Sequence, residues 1–514
     1  MERIERPLRV FGIVALVLTF LISFSPGVSA GKGSQELRVG IHYTIATMDP
    51  AFITSRGQDQ TVRNIYDGLV NWKPGTVEIA PALAESWDVS KDGLMYTFHL
   101  RKGVQFHRGF GELKASDVKF SFERVMDPKT KSPRSKDFRL VKQIEVLDDY
   151  TLRLTLKKPY PGLLHMLADR GAFVTSEKAV KELGKDIGRA PVGTGPFFVT
   201  KWIPKQNVEM ERNEKYFAGP PRLKKVVFIS IREAATRFMA FDSGQIDLIQ
   251  VADPDRVAKY LKDPKVVIKS KPGLITRYIG FNQKIKPFDD VRVRRAIQHA
   301  VDKDYIVEHL FKGLSVKSVN FVPPLNFGYT DDVMTYPYNV EKAKKLLAEA
   351  GYPNGFKTSL YIPNIPRFTK HSVVIKDSLK EVGVDLELKV LDVSTFLAAC
   401  RKGEPPMFTL SSGGSPNTAF YLFLYFHSNN FPPGNNFAHY SNPEVDALIN
   451  KAQEAVDPQK QKELLVEAQK KIAEDSVDLC LDHEKFFFIM KPYVKGFEVD
   501  PLRLIKVYPV YIEK

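Results

Sequence analysis

The chain has 514 residues, 43 % of them hydrophobic and 26 % charged, with 35 Phe and 20 Tyr; this describes ordered globular protein of about three domains and excludes collagen-like, coiled-coil and polytopic membrane classes. Two cysteines, Cys400 and Cys480, are too few for a disulfide scaffold. The net charge of +15 comes from scattered residues; its densest runs, at 292–295 and 342–345, fall on amphipathic helices, and no zinc-finger or aromatic-basic platform points to nucleic acid.

Along the chain, Arg3, Arg6 and Arg9 precede an apolar run from Val10 to Phe24, followed by Val28-Ser29-Ala30. A charged start, a short apolar core and a small-x-small site predict a signal peptide over 1–30. The mature chain is then expected to be exported, to the periplasm in a Gram-negative cell. No cysteine near the cleavage site offers a lipid attachment. Period-two alternation predicts strands at Glu36–Ile45, Met95–Leu100 and Thr151–Leu156, and Leu481–Met490 also reads as a strand. Ser116 is positioned to cap a helix carrying Val118, Phe122 and Val125. Asp289 and Asp290 suit the positive end of the next one. Asn339 caps a helix that Gly351 ends, Pro366 opens another, and Asn442-Pro443 and Asp457-Pro458 are two cap-then-proline starts. The class is α/β.

Motifs for covalent chemistry are absent: no phosphate loop, no G-x-G-x-x-G, no H-E-x-x-H and no C-x-x-C. The one G-x-S-x-G, at Gly27–Gly31, straddles the cleavage site and lacks the setting of a nucleophile elbow. The expectation is a protein that is not an enzyme, with no catalytic residues, no cofactor and no resident metal. Cys400 and Cys480 lie in apolar stretches; an export compartment permits a bridge, but buried free thiols are the favoured reading.

Pro81–Trp87, Asp92–Phe98, Leu100–Val104, Ala115–Phe122, Val192–Phe197, Ser243–Asp247, Pro287–Arg294, Ala300–Lys303, Ala343–Leu347, Phe426–Ser428 and Tyr440–Pro443, in this order, resemble the signature of the family 5 extracellular solute-binding proteins, the peptide- and nickel-type components of ABC importers. The resemblance implies a two-lobed periplasmic-binding-protein fold of type II, in its large three-domain variant, with a hinge and an interlobe ligand cleft. It places lobe I at 31–78, 190–283 and 491–514, an additional domain at 79–189, and lobe II at 284–490. Gly193, Gly195 and Pro196 suit a tight turn near a crossing between lobes.

The resemblance further implies capture of a peptide-like or other small solute and delivery to the transmembrane subunits of an ABC permease, by a monomer. A nickel-complex binder, with His427 or His439 as ligand, and an exported hydrolase are the alternatives. Candidate ligand contacts are Tyr43 and Thr44 at the end of the first strand, Asn282, Arg367 at a helix start, and the loop residues Ser411, Ser412, Gly413, Gly414, Ser415 and Asn417. In peptide-binding relatives that loop carries an acid for the peptide's α-amine; here the two acid positions fall on Gly414 and Asn417. A buried ammonium without a carboxylate is unfavourable. The loop's backbone N–H groups would instead form an anion-compatible nest. A neutral or anionic solute is therefore expected, such as a blocked peptide, a sugar derivative or a carboxylated compound.

Overall fold

The computed structural model describes residues 35–251 and 254–513; the expected signal peptide lies outside them. Period-two segments form strands at Glu36–Ile41, Met95–Leu100 and Thr151–Leu156. Tyr96, Phe98, Leu100 and Leu152, Leu154, Leu156 are buried on one face, as alternation requires. Helices start where the caps predict. Asp290, Asn339, Asn442 and Asp457 each accept a backbone N–H of the first turn with their side chains. One start differs. The helix Ala115–Met126 begins one residue before Ser116, because the Asp117 carboxylate accepts the Lys114 N–H at 3.0 Å and caps it from inside.

Two sheets organise these elements. The smaller has the order Ala84–Val89, Met95–Leu100, Thr151–Leu156, Val141–Asp148, all antiparallel. Helix Ala115–Met126 buries Val118, Phe122 and Val125 in the same apolar core as these strands. Burial of one such phenylalanine contributes roughly 1.5–3 kcal/mol.

Among the described residues the larger sheet has eleven strands. Its first part contains Glu36–Ile41 between the parallel strands Lys225–Ser230 and Leu248–Val251. Its other part contains Lys357–Pro363 between the parallel strands Asp385–Leu391 and Met407–Ser411. Two long antiparallel strands, Val267–Phe281 and Asp478–Met490, join the parts. Val267–Pro272 pairs with Met490–Lys485, and Thr276–Gly280 pairs with His483–Asp478; the register shifts between Pro272 and Thr276. On one side of that shift Leu248–Val251 adds to the sheet, and on the other Met407–Ser411 does. Separate apolar cores lie under the two parts, one around Leu37, Val39 and Phe228, the other around Ile297, Leu360 and Leu479.

Gly193 and Gly195 have a different role from the expected turn. A Cβ on them would lie 2.2 and 2.6 Å from the Ile65 carbonyl oxygen. They are glycines because two backbones approach closely there. Cys400 and Cys480 are free and buried, and burial pushes the Cys400 thiol up to about 12.

Candidate functional site

The site grows from the helix Arg56–Val62, which Ser55 caps by accepting the Gln58 N–H at 3.1 Å. That cap puts Arg56 on the first turn, beside the cleft. Its guanidinium donates to Asp59 at 2.8 Å and to Asp169 at 3.0 Å. Asp169 is also bonded by Arg170 at 3.1 Å and Arg134 at 3.2 Å. Burial works to raise the Asp169 carboxyl, but Arg56, Arg170 and Arg134 outweigh it and hold the group well below the usual carboxylate range. Asp137 pairs with Arg134 at 2.6 Å, yet burial raises its pKa.

The loop that follows Met407–Ser411 faces this arrangement. Two cavities meet there, of about 180 and 210 Å³, and Arg56, Gly413 and Gly414 line both. The first adds His42, Gln60 and Gln250 from one half of the molecule, with Leu274, Ile275 and Phe486 from the joining strands and Arg503 from the C-terminal segment. The second adds Arg134, Asp137, Arg139, Tyr160 and Asp169 opposite Ser415 and Asn417. Arg503 is held by Glu484 at 2.7 Å and lies over the Phe486 ring at 4.4 Å. Burial lowers the pKa of His165, in the second cavity, to about 4, so it is neutral at pH 7. Four arginines and two aspartates line the two cavities, and both aspartates are already paired with arginine.

The candidate residues divide accordingly. Gly413, Gly414, Ser415 and Asn417 line the cleft. Ser411 and Ser412 stand behind it: the Ser411 hydroxyl is buried with no partner, and the Ser412 hydroxyl accepts the Thr276 N–H at 2.8 Å. The loop is less open as a nest than expected. The Ser412 N–H donates to the Thr276 carbonyl at 2.9 Å, and the Gly413 N–H donates to the Tyr425 hydroxyl. Positive charge therefore comes from arginines across the cleft more than from loop amides. Arg367 sits at the start of helix Pro366–Lys380, where burial lowers its pKa and Glu484, Arg277 and Arg503 are its charged neighbours; its Nε is buried without a partner. Tyr43 packs on Gly57 and its hydroxyl is bonded with Thr61 at 3.2 Å; its neighbour His42 lines the cleft instead. Thr44 lines neither cavity. Asn282 is apart from this cluster, its amide spent on the Gly403 and Pro405 carbonyls at 3.0 and 3.2 Å.

His427 is buried and its Nδ1 accepts the Asn429 N–H at 3.0 Å. Among the described residues no group of three His, Cys, Asp or Glu side chains is placed to hold a metal ion, and no helix is long and apolar enough to cross a membrane.

The model of the bacterial extracellular solute-binding proteins, family 5, matches residues 78–433. The chain belongs to that family. It is 34 % identical over 479 residues to heme-binding protein A of Haemophilus influenzae, covering 88 % of this chain and 87 % of the relative. Among solved structures it resembles the ABC transporter-associated periplasmic binding protein DppA of Helicobacter pylori in complex with the peptide STSA, with 33 % identity, TM-score 0.78 and coverage of 93 % of this chain and 98 % of that one. It also resembles MoaA of A. tumefaciens R10 in complex with mannopinic acid, with 30 % identity, TM-score 0.76 and coverage of 94 % and 100 %. The family 5 protein thus has the two-lobed α/β fold expected of it. It is a solute-binding protein of the ABC-importer class, and its family and relatives are binding proteins.

Arg56, Arg134, Arg139 and Arg503 were not legible as site residues. The Ser55-x-x-Gln58 spacing marks a helix start, and an arginine on such a start was the one local signal pointing to any of them.

Proposed function

We propose that this family 5 protein captures a small anionic solute between its lobes and presents it, unchanged, to the transmembrane subunits of an ABC importer, acting as an exported monomer without a lipid anchor. The observation that carries this is Arg56. It faces both cavities beside Gly413 and Gly414; Gly414 is, with Asn417, one of the two positions where peptide-binding relatives are expected to hold acids, and the aspartates within reach already bind arginines. A ligand ammonium would have to displace a guanidinium, whereas a ligand carboxylate would gain charge-assisted bonds. The MoaA structure, in complex with mannopinic acid, supports an acidic solute in this fold. In this reading the lobes follow the expected division at 31–78, 190–283 and 491–514, at 79–189, and at 284–490. Closure bends the two long strands where their register shifts, between Pro272 and Thr276.

Calorimetry on free dipeptides, their N-acetylated forms and small carboxylated solutes tests the proposal. Acidic and blocked ligands are expected to bind more tightly than free-amine ones. Tight binding of an unblocked dipeptide, abolished by acetylating its amine, overturns it.

A further inference from the structure

A third cavity, of about 660 Å³, opens between the four-stranded domain and the opposite half of the molecule. It is more than three times the size of either basic cavity. Its walls are apolar: Ile79, Tyr96 and Leu164 on one side, and Leu325, Ala419 and Leu465 on the other. Glu78 is the one formally charged residue in its lining, and that group is paired with Lys73 at 2.6 Å. Val89, Phe327 and Val456 also line it and are 41, 43 and 43 % exposed. Large apolar side chains left in water around a concavity of this size mark a binding surface.

This cavity adjoins the basic cleft across a shared wall. Tyr160, Gly162, His165, Pro416 and Asn417 line both it and the 210 Å³ cavity that holds Arg56, Arg134 and Arg139. His165, on the shared wall, is neutral and accepts the Trp72 indole N–H at 3.3 Å, so it adds no charge at the junction. The rim is drawn together from both halves by the Lys158–Glu454 ion pair at 2.8 Å and by Val456, whose Cγ2 would lie 2.6 Å from a Cβ on Gly93. The Asn417–Tyr160 hydrogen bond at 3.3 Å stands on the wall between the two cavities, so a ligand anchored on the arginines reaches the apolar chamber where that contact parts.

We infer that the 660 Å³ cavity is a second compartment of the same binding cleft and takes the apolar part of an amphipathic anion whose charged end is held at Arg56, Arg134 and Arg139. This rests on the anionic reading of the cleft. It adds that the solute has a long hydrocarbon or aromatic portion.

Titration of the whole protein with N-acylglycines from acetyl to decanoyl, and with the matching uncharged N-acylglycine amides, tests both parts separately. Affinity is expected to rise roughly threefold to fourfold per methylene buried, and each acid is expected to bind at least tenfold more tightly than its amide. V456D changes an exposed residue of the compartment and is expected to flatten the chain-length dependence; L325E is the companion variant, each checked by its melting curve. Binding of acetylglycine with no gain on lengthening the chain overturns the apolar compartment and leaves the anionic cleft standing. A chain-length gain that is equal for acids and amides overturns the anionic cleft instead. Failure of every probe to bind overturns both, as does a gain that V456D and L325E both leave intact for the compartment alone.

Discussion

Asn417 and Tyr160 meet across the cleft: the Asn417 side-chain amide donates to the Tyr160 hydroxyl at 3.3 Å, while its carbonyl oxygen caps helix Thr418–Phe426 by accepting the Phe420 N–H at 3.1 Å. One side chain thus ties a helix start in one half to the surface of the other. The approach is close enough that Gly162 admits no side chain, since a Cβ there would lie 1.9 Å from the Asn417 Nδ2.

Gly162→Ala is therefore expected to close poorly, because the nearest atom its Cβ meets belongs to the other half; the Tyr160 ring of its own half, at 2.8 Å, must shift as well. Apparent affinity falls in proportion to the fraction of molecules able to close, and a loss of at least tenfold is expected. Small-angle scattering with saturating ligand should give a larger radius of gyration than wild type. An unchanged radius and affinity would show that the contact does not limit closure.

The Lys158–Glu454 pair should matter far less. Its two side chains are about half exposed, at 47 and 49 %, so solvent screening limits it to about 0–1 kcal/mol. Lys158→Glu is expected to weaken binding no more than about fivefold, with recovery in the double variant that also carries Glu454→Lys. Repeating the measurement at high salt should erase the difference.

Arg56→Ala is expected to reduce affinity for a carboxylated solute about ten- to a hundredfold, the value of one charge-assisted hydrogen bond. Arg56→Lys should recover part of that loss, because charge returns without the fork. Fold is preserved in this prediction, since Asp169 keeps Arg134 and Arg170. Equal calorimetric affinities for wild type and Arg56→Ala would remove this arginine from the site.

Gly414 has φ +39, and a Cβ on it would lie 2.8 Å from the Leu274 carbonyl oxygen. Gly414→Ala should lower stability by about 1–3 kcal/mol through strain alone. Gly414→Asp should do the same and in addition weaken an anionic solute by like-charge repulsion. The affinity ratio between the two variants isolates charge from shape; a ratio near one would place this loop outside the site.

Burial raises the Asp478 carboxyl from 3.8 to about 8, opposed only in part by its hydrogen bond from Cys480. The folded chain then holds a proton that the unfolded chain has lost. Stability from this group is full below about pH 4, declines as pH rises through the window up to about 8, and is level beyond it. Asp478→Asn is expected to remove that slope, raising Tm more at pH 8 than at pH 4. Thermal melts across this range check it, and parallel wild-type and variant curves would refute it.

Much of the framework was legible in the residues. Alternation at Met95–Leu100 and Thr151–Leu156 produced strands at those residues, and Asn339, Asn442 and Asp457 began helices. The Ser116 cap was off by two, the cap position being Lys114, because an acid inside the first turn can cap as well as a residue before it. The 411–417 loop was recognisable by its place in an ordered series of motifs, and its residues 413–417 line a cavity. Arg503, Arg134 and Tyr160 were not recognisable, since nothing near them in the chain distinguishes a cleft side chain from a surface one.

What the sequence by itself determined was the set of local elements, the α/β class and the family. Those depend on hydrophobic period, caps and short motifs, which act over a few residues. Only the tertiary structure decided which charges share the cleft. Asp169 became a carboxylate already claimed by Arg56, Arg134 and Arg170, and Asn282 became a buried strut that holds the Gly403 and Pro405 carbonyls. Electrostatic energy depends on separation through space and on removal from water. Both are set when distant segments are folded against one another, not by their order along the chain.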